Sequence, residues 1–270
     1  MQNRFEDGDA SAGSSPFSRP LRPFNVGAQG VINVADVAEM LADCAVPGET
    51  LIVGVTGSVA VGKTTLCASI SKHLRSTLCI EAISTDGFLL SNDVLAKLNL
   101  SLRKGFPETF DAGRMSGVLQ RARYGAVCVP GYSHKLYDRA PDLDRTINRP
   151  DILLVEGLGL APGSGQRNPS TLLDILVYID AAEEDIEGWF VQRFMDFWRD
   201  AETNAESYYS RFRMMSEIDA LEFARAIWAG INLPNLRDHI SLARGHADIV
   251  LRKSPDHGFQ LVRASCARSN

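Results

Sequence analysis

The chain has 270 residues, 45% of them hydrophobic, and 28 basic against 33 acidic side chains give a net charge of −5. That is enough apolar material for one sizeable core, while the acidic balance leaves no global positive field to hold a nucleic-acid backbone. No run approaches the ~18 consecutive apolar residues of a membrane span, and the five scattered cysteines lack CxxC spacing, so a reduced cytosolic chain without membrane or nucleic-acid partners is expected.

Residues 1–30 are polar and rich in Gly, Pro and Ser, which reads as a flexible tail before a single domain over residues 31–270. Asn33 with Asp36 marks a helix start, and Val37, Met40, Leu41 and Cys44 then share one helical face. Leu51–Val55 is an apolar run too continuous for a half-exposed strand, and similar runs recur at Leu78–Ser84, Ile152–Val155, Ile175–Ile179 and Ile249–Leu251. Helical periodicity lies between them at Thr64–Leu74, Arg114–Arg123, Ile186–Trp198 and Ile218–Ile227. This alternation predicts an α/β fold, a mostly parallel central sheet flanked by helices, with a helical substrate or lid region over about residues 182–245.

Gly57-Ser58-Val59-Ala60-Val61-Gly62-Lys63-Thr64 fits GxxxxGK[ST] and sits between a buried strand and a helical segment, the setting a P-loop requires. The glycines let backbone N–H groups curl around phosphates, and the positive end of the next helix points at the same charge. ATP and Mg²⁺ are therefore the expected cofactors: residues 57–64 with Thr65 cradle the nucleotide, Lys63 bridges the terminal phosphates, and the Thr64 hydroxyl reaches the metal. A GTPase would show an Asn/Thr-Lys-x-Asp motif; neither Asn-Lys nor Thr-Lys occurs here, so a small-molecule kinase is the better reading.

Two acids follow strand-like runs, where open α/β sheets bind ligands. Asp86, in Ser84-Thr85-Asp86-Gly87-Phe88, could accept the proton of an attacking hydroxyl, or serve as a turn residue ahead of Gly87. Glu156, after Ile152–Val155, is placed to orient Mg²⁺ or its waters.

With Lys104-Gly105-Phe106-Pro107-Glu108, Tyr132-Ser133-His134-Lys135-Leu136-Tyr137-Asp138, Val155-Glu156-Gly157-Leu158, Arg193-Phe194, Ser207-Tyr208-Tyr209 and Ile231-Asn232-Leu233-Pro234-Asn235-Leu236, the chain resembles the bacterial type I pantothenate kinases. These form a branch of the phosphoribulokinase/uridine kinase group, and the resemblance covers roughly residues 50–262. It implies phosphorylation of pantothenate, the first step of coenzyme A biosynthesis. It also implies Asp86 as the catalytic carboxylate with Lys63 and Arg193, and Tyr132, His134, Tyr137 and Asn232 around the substrate. Phe194 would supply an apolar wall, and His257 falls where the family has a histidine near the adenine. Trp189 and Trp198 are read as packing.

The chain departs from the family in three places. Ala68 replaces an arginine linked to coenzyme A feedback, so weak feedback is expected; Phe190 and Phe212 replace tyrosines; and the segment before the first strand is short, which leaves open whether a homodimer forms. Two alternatives stand beside the pantothenate reading: a kinase of the same fold acting on a nucleoside, a sugar or glycerate, and a non-catalytic ATP-binding regulator. A general base at Asp86 argues against the regulator.

Overall fold

The computed structural model describes residues 30–160 and 168–265, so the tail expected over residues 1–30 lies outside it except for Gly30. A short strand, β1 (Val31–Ile32), leads into α1 (Val34–Cys44). The helix starts at the expected cap: Asp36 N donates to the Asn33 side chain at 3.0 Å, and Asn33 N donates back to the Asp36 carboxylate at 2.9 Å. Next comes β2 (Leu51–Gly57), buried at every position as its unbroken apolar run demands. After it come α2 (Lys63–Leu74), β3 (Ile80–Ser84), α3 (Asn92–Lys97) and α4 (Ala112–Ala122). Four short strands follow as two nested antiparallel pairs, β4 (Val127–Val129) with β7 (Arg145–Ile147) around β5 (Tyr132–Ser133) with β6 (Asp138–Arg139). Then come β8 (Ile152–Glu156), β9 (Ile175–Asp180), α5 (Glu183–Asp200), α6 (Glu217–Ile227), α7 (Leu233–Asn235), α8 (Leu242–His246), β10 (Ile249–Lys253) and β11 (Phe259–Ala264).

The main sheet runs β1-β11-β10-β9-β2-β8-β3. The five strands from β10 to β3 are parallel, and β11 and β1 complete one edge antiparallel to their neighbours. Because β8 inserts between β2 and β3, the chain leaving β2 skips a position, and a crevice opens at the C-terminal ends of these strands. Register fixes what stands there: Glu156 pairs with Val55 on one side and Ser84 on the other.

At the other end of the sheet, Arg123 grips the 6%-exposed Asp174 carboxylate in a bidentate pair at 2.9 and 3.0 Å. It also donates to Thr50 O and Leu172 O, closing the N-terminal ends of β2 and β9.

A separate small core of Phe194, Met195, Trp198, Ala220 and Ala224 holds α5 against α6, within the region expected to form the lid. The helical pattern ending at Ile227 continues in an unforeseen way, through π-helical turns at Trp228–Asn232 and Leu236–Ile240 on either side of α7. Pro234 lies at their centre; it has no N–H to donate and its ring crowds the preceding turn, conditions that favour a widened helix.

Candidate active site

The loop joining β2 to α2 has a form that calls for glycine at positions 57 and 62. A Cβ on Gly57 would lie 2.6 Å from Ile179 O, and Gly62 caps α2 at φ +102°, a left-handed conformation that favours glycine. Lys63 is 9% exposed and folds back onto its own loop, donating to Ser58 O at 2.8 Å and Gly57 O at 3.3 Å. Burial pulls its ammonium below the usual lysine range, against the opposing pull of the Glu156 and Asp86 carboxylates. Ser58 Oγ is buried without a partner among the described residues, an open hydrogen-bonding group inside the cradle. A phosphate chain fits this loop: it needs the converging donors present here and offers acceptors for Lys63 and Ser58.

Thr64, one residue into α2, donates its hydroxyl to Glu156 Oε1 at 3.1 Å. Together they offer a hydroxyl and a carboxylate, hard oxygen donors that suit Mg²⁺, an ion that takes few protein ligands and completes its shell with water and phosphate. Among the described residues no cluster of three or more His, Cys, Asp or Glu could hold a metal alone.

Asp86 follows β3 in a short 3₁₀ turn over Thr85–Phe88, and its backbone N–H donates to Ser84 Oγ at 3.3 Å. Its carboxylate acts electrostatically on Lys63, Lys104, Tyr132 and Tyr137, which places it between the P-loop and the aromatic hairpin. It borders a small cavity of about 170 Å³ with Tyr132, His134, Pro130 and Arg145.

In that hairpin Tyr132 meets His134 edge-on at 5.2 Å and Tyr137 at 6.4 Å, and Tyr137 lies 4.7 Å from Tyr208. Burial pushes the Tyr132 and Tyr137 phenols above the usual tyrosine range, so both stay protonated as donors. Tyr137 adopts φ +51°, a strained value for a bulky residue.

A residue given no role from sequence holds it there: Lys104 Nζ donates to Tyr137 O at 2.5 Å and Asn92 Oδ1 at 2.7 Å. It lies 4.4 Å from the Tyr137 ring centre and 5.3 Å from that of Tyr132. Burial lowers its pKa to about 8, against the Asp138 and Asp86 carboxylates.

Helix α5 and the turn between β10 and β11 supply the remaining groups. Arg193 on α5 is exposed and lines a cavity of about 530 Å³ beside the P-loop, where its charge reaches Lys63. His257 lines the same cavity, but so do Trp189 and Lys253, which sequence reasoning did not place there. The Trp189 and His257 rings lie 5.4 Å apart, and Lys253 Nζ sits 4.0 Å over the indole while donating to Val61 O at 3.0 Å. Trp189 packs against the main core as expected and lines this cavity as well, whereas Trp198 packs within the small core between α5 and α6. Phe194 differs from expectation: it is 4% exposed and packed among Tyr209, Phe212 and Phe223, so it supports the core of the lid instead of presenting a wall. An apolar side chain on the inner face of an amphipathic helix buries itself unless a ligand competes. Asn232 ends the first π turn with its Nδ2 buried and unpartnered among the described residues.

Residues 52–210 match the phosphoribulokinase/uridine kinase family. The chain is 40% identical to a pantothenate kinase of Rhizobium johnstonii, over 78% of this chain and 67% of that one. It is also 40% identical to a pantothenate kinase of Streptomyces coelicolor, over 79% and 68%. Among solved structures it is similar to a proposed fructose transport system kinase from Silicibacter sp. TM1040, with a TM-score of 0.63, 22% identity, and coverage of 76% of this chain and 93% of that one. No helix among the described residues is long and apolar enough to cross a membrane.

Proposed function

We propose, from the premise that this chain belongs to the phosphoribulokinase/uridine kinase family, that it transfers the γ-phosphate of ATP to the primary hydroxyl of pantothenate. The observation that carries this reading is the 40% identity to pantothenate kinases over more than three quarters of the chain. The geometry supports it, because a nucleotide cradle, an oxygen pair for a metal and a carboxylate meet at the crevice between β2, β8 and β3.

The residues divide the work by position. The P-loop amides and Lys63 hold the terminal phosphates, while Arg193 approaches from the lid to balance charge on the group in transit. Asp86 accepts the proton of the attacking hydroxyl, and Tyr132, His134, Tyr137 and Asn232 orient the acceptor by hydrogen bonds. Trp189, Lys253 and His257 form the floor for the nucleotide base. Thr64 and Glu156 would hold Mg²⁺, which would supply charge neutralisation on the phosphates.

The test is ADP release by the purified chain with and without pantothenate. Pantothenate-dependent release that scales with enzyme supports the reading. Release only with nucleosides, sugars or glycerate moves the acceptor, and release with no alcohol at all removes the kinase assignment.

A further inference from the structure

We infer that Asn235 is a specificity-determining residue of the acceptor pocket, its side-chain oxygen accepting the N–H of the acceptor's amide. This rests on the pantothenate reading and deepens it by saying what recognises the amide between the diol and the carboxylate.

Asn235 is 4% exposed and ends α7 between the two π turns. Its Nδ2 donates to Gly105 O at 3.0 Å, and because a carbonyl can only accept, this bond fixes which end of the carboxamide is which. The other end, Oδ1, is buried and has no partner among the described residues. One helical turn earlier, Asn232 Nδ2 is also buried without a partner among those residues. Residues three apart in a helical segment share a face. That face therefore carries one free donor and one free acceptor, the complement of a secondary amide.

The surroundings tie Asn235 to the loop that carries Lys104. Gly105, which it anchors, follows Lys104, whose ammonium interacts with Asp86. A Cβ on Gly105 would lie 3.3 Å from Leu158 Cδ1, two residues past Glu156. Asn235 thus stands between the Lys104 loop and the turn that leaves the metal-binding carboxylate.

The experiment compares kcat/KM for pantothenate with that for its ester analogue, in which oxygen replaces the amide N–H. The wild-type chain is expected to prefer the amide by about ten-fold or more, since a site built to pair with a donor rejects a ligand lacking it. Asn235→Leu removes the acceptor and should bring the two substrates to within about two-fold of each other. Asn235→Asp keeps an acceptor there but sets a second oxygen against Gly105 O, so it should slow both substrates while the preference for the amide remains. Equal turnover of amide and ester by the wild-type chain overturns the proposal without any variant having to fold, and leaves only a buried water at Oδ1. A parallel loss on both substrates in Asn235→Leu also overturns it, reducing the residue to an anchor for Gly105. If neither substrate turns over while another alcohol does, the pantothenate reading fails and takes this inference with it.

Discussion

The Thr64 hydroxyl donates to Glu156 Oε1 at 3.1 Å, joining the first turn of α2 to the end of β8. Two segments 92 residues apart in sequence thereby present adjacent oxygens beneath the phosphate loop. Glu156→Gln keeps the size of the side chain but removes its charge. The Mg²⁺ concentration for half-maximal activity should rise by about 10–100-fold. Thr64→Ser, which retains the hydroxyl, should stay near wild type, and an unchanged Mg²⁺ titration in Glu156→Gln would remove the carboxylate from the metal site.

Asp86→Asn exchanges the proposed proton acceptor for an amide of the same shape. The expected result is a fall in kcat of about 10²–10⁴-fold with ATP affinity nearly unchanged, because the P-loop is untouched. Single-turnover kinetics together with equilibrium nucleotide binding separate these two quantities. Wild-type kcat in the variant would return Asp86 to the plain role of a turn residue.

Lys104 connects the acceptor hairpin to pH. With its pKa lowered to about 8, the ammonium that braces the Tyr137 carbonyl and faces both tyrosine rings is lost as pH rises through that value. kcat/KM for pantothenate should therefore decline above about pH 8 in the wild-type chain, and this limb should vanish in Lys104→Met. The effect on stability has the opposite sign. Between about 8 and the ordinary lysine value the unfolded chain holds the proton and the folded chain does not, so this residue makes stability rise with pH in that window. Melting temperatures that fall there in wild type but not in Lys104→Met would contradict the assignment.

Much of the fold was legible because burial leaves its mark on local pattern. The unbroken apolar run of β2, the Asn33–Asp36 cap and the glycines at 57 and 62 each impose one local structure. The site was legible where a motif concentrates it, as in the P-loop and the Tyr132–Tyr137 hairpin. It was not legible where function depends on distant partners. Lys104 stands in a recognisable motif, but its role emerges only when Tyr137, 33 residues later, is folded beside it. Trp189 and Phe194 are five residues apart on one amphipathic helix; only the fold shows that Trp189 lines the cavity beside the P-loop and Phe194 the small core between α5 and α6. The π turns around Pro234 escaped for the same reason, since helical periodicity does not report a widened turn.

Far from the crevice, Arg123 and Asp174 give a prediction about stability alone. Arg123→Met leaves a nearly buried carboxylate with its charge uncompensated, although Ile52 N still donates to it at 2.8 Å. Unfolding free energy should drop by about 3 kcal/mol and the melting temperature by on the order of 10 °C, with KM for both substrates unchanged at low temperature. A shift in KM without loss of stability would mean that this end of the sheet communicates with the site.

Trp189 supplies a direct optical reading of the nucleotide pocket. Of the three tryptophans in the chain, Trp198 and Trp228 are buried at 7% and 2% exposure, while Trp189 is half-buried and lines the cavity beside the P-loop. Lys253 over one part of its ring and His257 against another form a flat, cationic and aromatic surface suited to a purine and its phosphates. Adding ATP should change the intrinsic fluorescence, and Trp189→Leu should abolish that signal while Trp198 and Trp228 still emit. The same variant should raise KM for ATP by about ten-fold, the loss expected when one cation–π and stacking surface is removed, and leave KM for pantothenate in place. A pantothenate KM that moves instead would place the acceptor, not the nucleotide, against this indole. The two cavities would then have to exchange roles, with Asp86 left facing the base instead of the hydroxyl it is assigned to deprotonate.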